Sequence, residues 1–194
     1  SLIKQGIVCR HLHIPLQSGS DKILKAMNRG YTAKFFRELL IEIINECPDI
    51  SIGTDLIAGF PDETDDDFNE TLKFYPNNVE ANYFLGVSLY EKGDAANSIK
   101  YFEKVITFKP DYHNVYLMLS KIETAKDNID KTIEYLKKYI RYNISDIETK
   151  LQLALLLEQK NKMVEAKEIY SSILSAEPNN LKANYHFVNG LTGG

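Results

Sequence analysis

The sequence predicts a short α/β segment of two βα units followed by an all-α solenoid of paired helices. Three observations carry this. Up to Tyr75, apolar runs alternate with amphipathic stretches, the order expected of parallel strands joined by helices. From Pro76 onward the chain repeats itself: Pro110 follows Pro76 by one spacing, and Pro178 follows Pro110 by twice that spacing. The charge balance shifts at the same point, from 8 Lys+Arg against 12 Asp+Glu before Pro76 to 15 against 15 after it.

In the first part, "RHLHIPL" is a short apolar run suited to a buried parallel strand. It ends in the polar turn Gln17-Ser18-Gly19-Ser20, where Gly19 permits a tight bend. "SDKILKAM" then opens a helix on Ser-Asp capping residues, and "TAKFFRELLIEIINECP" is a long amphipathic helix stopped by Pro48. "ISIGTDLIAGF" is a second β-rich run. "TDDDFNETLKF" is a helix whose Asp65, Asp66 and Asp67 occupy the first turn, where the macrodipole favours acids; this is a simpler reading of the acidic run than a metal site.

The second part repeats in the register 79–112, 113–146 and 147–180, with a partial fourth unit over 181–194. The eighth position carries Gly86, Ser120 and Ala154, and the twentieth Ser98, Thr132 and Ala166. All are small, as required where two helices of one unit approach closely. The twenty-fourth position carries Phe102, Leu136 and Tyr170, which fill the space between units. Pro110 and Pro178 end second helices, because proline lacks an N–H and restricts its predecessor. The middle unit departs from the pattern: Ile144 stands where proline is expected, and Asp127 where Gly93 turns the chain in the first unit. A period of about 34 residues, built of paired amphipathic helices, resembles the tetratricopeptide repeat.

Such repeats stack into a concave surface lined by first helices, which implies a protein or peptide partner. The lining positions carry Tyr83, Val87 and Tyr90, then Leu117 and Lys121, then Leu151, Leu155 and Glu158, with Tyr185 beyond. This predicts an aromatic and aliphatic groove without the Lys/Asn clamp that related arrays use for acidic tails. The plainer alternative is that several of these side chains only pack neighbouring helices.

Composition sets wider bounds. The chain of 194 residues is 44% hydrophobic and 26% charged, typical of a globular protein and not of a disordered one. No apolar stretch reaches the ~18 residues of a membrane span, and no signal peptide is visible. The first residue is Ser, which suggests a fragment or a processed terminus. Cys9 and Cys47 show no disulfide-framework spacing, so a reducing cytoplasm is expected. A net charge of -4 gives no general attraction to nucleic acid.

Residues of about 7–73, "CRHLHIPLQSGSDKILKAMNRGYT" and "DISIGTDLIAGFPDETDDDFNETL", closely resemble the radical-SAM methylthiotransferases that modify tRNA, and most of all the branch acting on threonylcarbamoyl-adenosine. The resemblance implies two βα units of a partial barrel, with ligands beyond the carboxyl ends of the strands. It implies that Gln17 and Ser18 meet the ribose or methionine moiety of S-adenosylmethionine. Ile57 and Gly59 match the segment lying against the adenine, and Asp55 and Glu63 complete that motif. Arg29 would pair with the methionine carboxylate. The family has Gly where this chain has Asp62, a residue that tolerates positive φ better than most.

The resemblance also implies a [4Fe–4S] cluster held by three cysteines in a C-x3-C-x2-C run. Cys9 and Cys47, widely separated along the chain, do not supply that run. His11 and His13 have no acid or cysteine at metal-ligand spacing and read as packing residues; Cys9 reads as a core position of the family. No metal ligands are therefore assigned.

Three functional readings follow. The first is a truncated methylthiotransferase-like segment, 1–75, fused to a repeat interaction module, 76–194, and catalytically incompetent by itself, with tRNA a partner only by resemblance. The second is a non-enzymatic repeat scaffold with the βα segment as its amino-terminal cap. The third is an artefact joining two coding segments. The cap reading has a register argument: Phe68, Thr71, Leu72 and Pro76 fall at positions 24, 27, 28 and 32 of a unit preceding Val79. It predicts that the helix near 65–75 packs on the first repeat helix, with Phe68, Leu72 and Tyr75 near Tyr83 and Phe84. Exposed strand edges in the short sheet would favour self-association.

Overall fold

A computed structural model describes residues 11–192, with side chains to residue 188. The chain divides into two compact units, one ending at Lys109 and the other starting at Pro110. This division falls one repeat later than the change of sequence pattern at Pro76, because the first pair of repeat helices packs with the α/β segment.

The first unit holds β1 (His11–His13), α1 (Asp21–Ala26), α2 (Ala33–Glu46), β2 (Ser51–Gly53), α3 (Asp65–Phe74), α4 (Val79–Glu91) and α5 (Ala95–Phe108). β1 and β2 pair in parallel, with His11 opposite Ser51 and His13 opposite Gly53. Each strand is only three residues long, shorter than the apolar runs. Pro15 has no N–H to give to a ladder, and the Leu16 amide donates instead to Thr54 Oγ1 at 3.0 Å. Pairing resumes for one bridge, where Gln17 N donates to Asp55 O (2.8 Å) and Ile57 N to Gln17 O (2.7 Å).

Caps set the helix starts. Ser20 caps α1 and Thr32 caps α2, each accepting from the amide three residues on. α2 closes at Cys47, just before Pro48, with the Cys47 amide on Ile43 O at 2.9 Å. This helix buries only Ala33 and Phe36. At the start of α3 the Asp67 carboxylate reaches back to the Thr64 amide at 2.9 Å.

The expected joint between α3 and the first repeat is present. Phe68 and Phe84 stack with ring centroids 6.0 Å apart, and Asp65 accepts from Ser88 Oγ and, at 2.7 Å, from Lys92 Nζ. Between α4 and α5 the small-residue rule holds: a Cβ on Gly86 would come within 2.6 Å of the Phe102 ring, and Ser98 Oγ donates to Gly86 O at 2.7 Å.

The second unit contains α6 (Asn114–Ala125), α7 (Ile129–Ile140), α8 (Ile147–Gln159), α9 (Met163–Ala176) and α10 (Leu181–Thr192). Leu136, Leu153, Ala154, Ala166 and Tyr170 form its fully buried centre. Gly93, Asp127 and Asn161, each one repeat period from the next, all have left-handed backbone, with φ of 83°, 56° and 57°. The turn inside each repeat thus demands the same conformation and receives three residue types that tolerate it. Where proline is missing, the Tyr142 and Asn143 amides both turn back to Tyr139 O, α7 stops at Ile140, and Ile144 is exposed. No helix among the described residues is long and apolar enough to cross a membrane.

Candidate functional site

The segments implied in cofactor binding meet where β1 and β2 end. Gln17 has φ 75°, in the left-handed region, and its bridge with Leu56 fixes the Gln17–Ser18 turn against the Asp55–Ile57 segment. Its side chain is buried and its Oε1 accepts from Arg29 Nη2 at 3.0 Å. Ser18 is fully buried: Oγ accepts from the Ser20 amide at 3.1 Å and lies 3.5 Å from Thr71 Oγ1. Both side chains are therefore committed to the fold.

Gly19 is needed for a reason other than the one its turn suggests. Its φ is not positive; instead a Cβ there would lie 2.5 Å from Thr71 Cα and 2.7 Å from Glu70 O. The turn lies directly on the α3 backbone, and the Gly19 amide donates to Thr71 Oγ1 at 3.0 Å. Asp67 completes the lock, accepting from Ser20 Oγ (2.5 Å), Lys22 Nζ (2.7 Å) and Thr64 Oγ1 (2.6 Å). Burial pushes this carboxyl up, but hydrogen bonds from Lys22, Ser20 and Thr64 outweigh burial and hold it well below the carboxylate range. So the acidic first turn of α3 includes a buried structural anchor.

In the second motif, Gly59 has φ 82°, and a Cβ would meet the Phe84 ring at 2.8 Å. Glu63 Oε2 accepts from the Gly59 amide at 2.7 Å and the Phe60 amide at 3.1 Å. Burial raises the Glu63 carboxyl above its usual range despite these two bonds, with help from the nearby Asp67 charge. Its Oε1 is buried without a hydrogen-bond partner. Asp62 adopts φ 63°, so its position does need the left-handed region that glycine serves best. Ile57 is exposed.

Asp55 is exposed and pairs with His13 Nε2 at 2.9 Å. This corrects the reading of both histidines: His11 and His13 are exposed rather than packed, and parallel pairing supplies the acid that sequence spacing did not. Among the described residues no group of three or more His, Cys, Asp and Glu side chains is placed to hold a metal. Cys9 lies outside the described residues, and Cys47 caps α2. The chain's two cysteines do not fit the three-thiolate donor set of the implied cluster.

The groove positions divide between the units. In the first, Tyr83, Val87 and Tyr90 lie on α4 and are half-buried. The Tyr83 ring sits 6.0 Å from Phe102, and burial pushes its hydroxyl pKa upward. In the second, Leu117 and Leu151 are half-buried and pack against the core, whereas Lys121, Leu155 and Tyr185 are exposed. Glu158 Oε2 pairs with His186 Nδ1 at 3.0 Å, and the His186 ring stacks on Tyr170. Two features escaped the sequence reading: the Asp67 lock, for which Thr64-x-x-Asp67 was a capping signal, and the His13–Asp55 pair, which has no local signal.

Comparison with known proteins matches both patterns. The radical SAM superfamily model matches residues 1–75 and the tetratricopeptide repeat model residues 79–112. A tRNA-2-methylthio-N(6)-dimethylallyladenosine synthase of Endomicrobium trichonymphae is 56% identical over 66 residues, covering 34% of this chain and 16% of that protein. The synthase of the same name from Fervidobacterium nodosum is 31% identical over 180 residues, covering 92% of this chain and 38% of that protein. The chain thus spans well under half the length of these relatives. Their names support the methylthiotransferase family and not specifically the threonylcarbamoyl-adenosine branch. Among solved structures, YrrB, described as a tetratricopeptide-repeat protein with an unusual peptide-binding site, has a TM-score of 0.55 at 17% identity, covering 66% of each chain; this likeness shows the fold alone. The chain joins a radical-SAM segment similar to the tRNA methylthiotransferases to a series of tetratricopeptide-like helical repeats.

Proposed function

We propose that this chain is a repeat-based module for binding a protein or peptide, with the radical-SAM-like segment of residues 1–75 as a cap on the first repeat. The observation that carries this reading is the α3–α4 joint. Phe84 stacks on Phe68 and fills the space beside Gly59, while Asp65 bonds Ser88 and Lys92. A solenoid end needs such a covering element.

By itself the chain does not carry out methylthiolation in this reading. Gln17 and Ser18, assigned to S-adenosylmethionine by resemblance, are buried, with Gln17 Oε1 accepting from Arg29 and Ser18 Oγ from the Ser20 amide. The cluster's thiolate set is not met by two cysteines. Cofactor, tRNA and a cytoplasmic location remain properties inferred from the relatives.

Iron–sulfur reconstitution followed by visible spectroscopy and an S-adenosylmethionine cleavage assay tests the first half. A stable cubane spectrum with cofactor cleavage would overturn the denial of activity. For the second half, a displayed peptide library selected on the whole chain should yield ligands whose binding drops about tenfold or more in Tyr83→Ala and Tyr90→Ala, the scale of an aromatic anchor. Binding unchanged in both variants would place the contact surface elsewhere.

A further inference from the structure

One face of the two-stranded sheet carries a histidine pair that the functional reading does not use. His11 and His13 are two positions apart on β1 and so project to the same side. Parallel register sets Gly53 opposite His13, and glycine leaves the space between the rings open. A Cβ at Gly53 would lie 3.1 Å from His13 Nδ1 and 3.5 Å from His11 Nε2, so both nitrogens lie beside the one position that glycine leaves without a side chain. The other nitrogen of His13, Nε2, is 2.9 Å from Asp55 Oδ2. A carboxylate can only accept, so His13 Nε2 carries a proton, and in the neutral ring Nδ1 is then the nitrogen that keeps its lone pair.

We propose that His11 Nε2 and His13 Nδ1 chelate one divalent transition-metal ion above Gly53, with Asp55 as the positioning residue that fixes the His13 tautomer. Neutral imidazole nitrogens favour zinc, nickel or copper(II) over magnesium or calcium, which take oxygen ligands. A carboxylate behind a ligating histidine orients the ring and raises its basicity. The protein supplies two ligands and water the remainder, so the site is open and of a lower affinity than a closed structural zinc site. Chelation requires the two exposed rings to turn until each nitrogen reaches the ~2.0–2.1 Å of a zinc–imidazole bond.

The test uses the untagged chain with Cys9→Ser and Cys47→Ser, which removes thiolate competition. Calorimetric titration with zinc chloride should show one ion per chain. His11→Ala and His13→Ala should each weaken binding at least tenfold. Asp55→Asn should weaken it by about ten- to a hundredfold, and His113→Ala/His186→Ala should leave it unchanged. Copper(II) bound to the unaltered chain gives an independent readout, with broadening of the His11 and His13 ring resonances expected before those of His113 and His186. Zinc binding that is absent, that survives both β1 substitutions, or that follows His113 and His186 would overturn the proposal.

Discussion

Phe68 of α3 and Phe84 of α4 stack at 6.0 Å, with planes 11° apart, and the same Phe84 ring closes over Gly59. One aromatic side chain of the first repeat therefore holds two parts of the α/β segment. Gly59→Val should break this arrangement twice, by forcing a β-branched residue to φ 82° and by driving its Cβ into the ring. The expected loss is about 2–4 kcal/mol by urea denaturation. A loss below about 0.5 kcal/mol, the scale of an ordinary surface substitution, would show that the joint is loose.

Gly19 offers a test free of backbone handedness. Gly19→Ala places a methyl against the α3 backbone, which has no side-chain freedom to yield. Destabilisation of about 1–3 kcal/mol is expected, as for overpacking. Gly30→Ala, where nothing lies within 4 Å, is the matched control and should change stability little.

Asp67 predicts a pH dependence. Its folded carboxyl titrates below its unfolded value of about 3.9. The unfolded state therefore binds the proton first, and stability present at neutral pH is lost as acid carries the protein down through the folded pKa. Asp67→Asn should cost about 2–3 kcal/mol at pH 7, from buried hydrogen bonds to a charged acceptor. The gap between the two proteins should narrow steadily below pH 4. Denaturation midpoints measured across that range check both the size and the sign.

The left-handed turns of the repeats make a paired prediction. Gly93→Ala should destabilise the first repeat by about 1 kcal/mol, because alanine bears the full steric penalty at positive φ. Asp127→Gly, at the equivalent place in the second, should be neutral or stabilising by up to about 1 kcal/mol. Opposite signs in thermal melts would confirm that one backbone demand recurs once in every repeat.

Much of this was legible in the chain because its signals are local. The periodic spacing of prolines and small residues marked a chain of paired helices, and Gly86 of α4 lies against Phe102 of α5 as a small residue at a close helix approach requires. Continuing that register backward also placed α3 on α4. The strands were less legible: apolar runs suggested longer ones, but Pro15 interrupts the ladder soon after His13. His13 departs from its expected packing role because its acid arrives from beyond the neighbouring strand, 42 residues away.

By itself the sequence determined the helices, their caps, the repeat period and the family likeness of the first segment, since each depends on side chains a few positions apart along one backbone. Only tertiary structure decided what those residues face: that Gln17 and Ser18 turn inward, that Gly19 yields to α3, and that Asp55 meets His13. Burial and pairing between distant segments depend on which surfaces come together in space, and no local spacing encodes that choice.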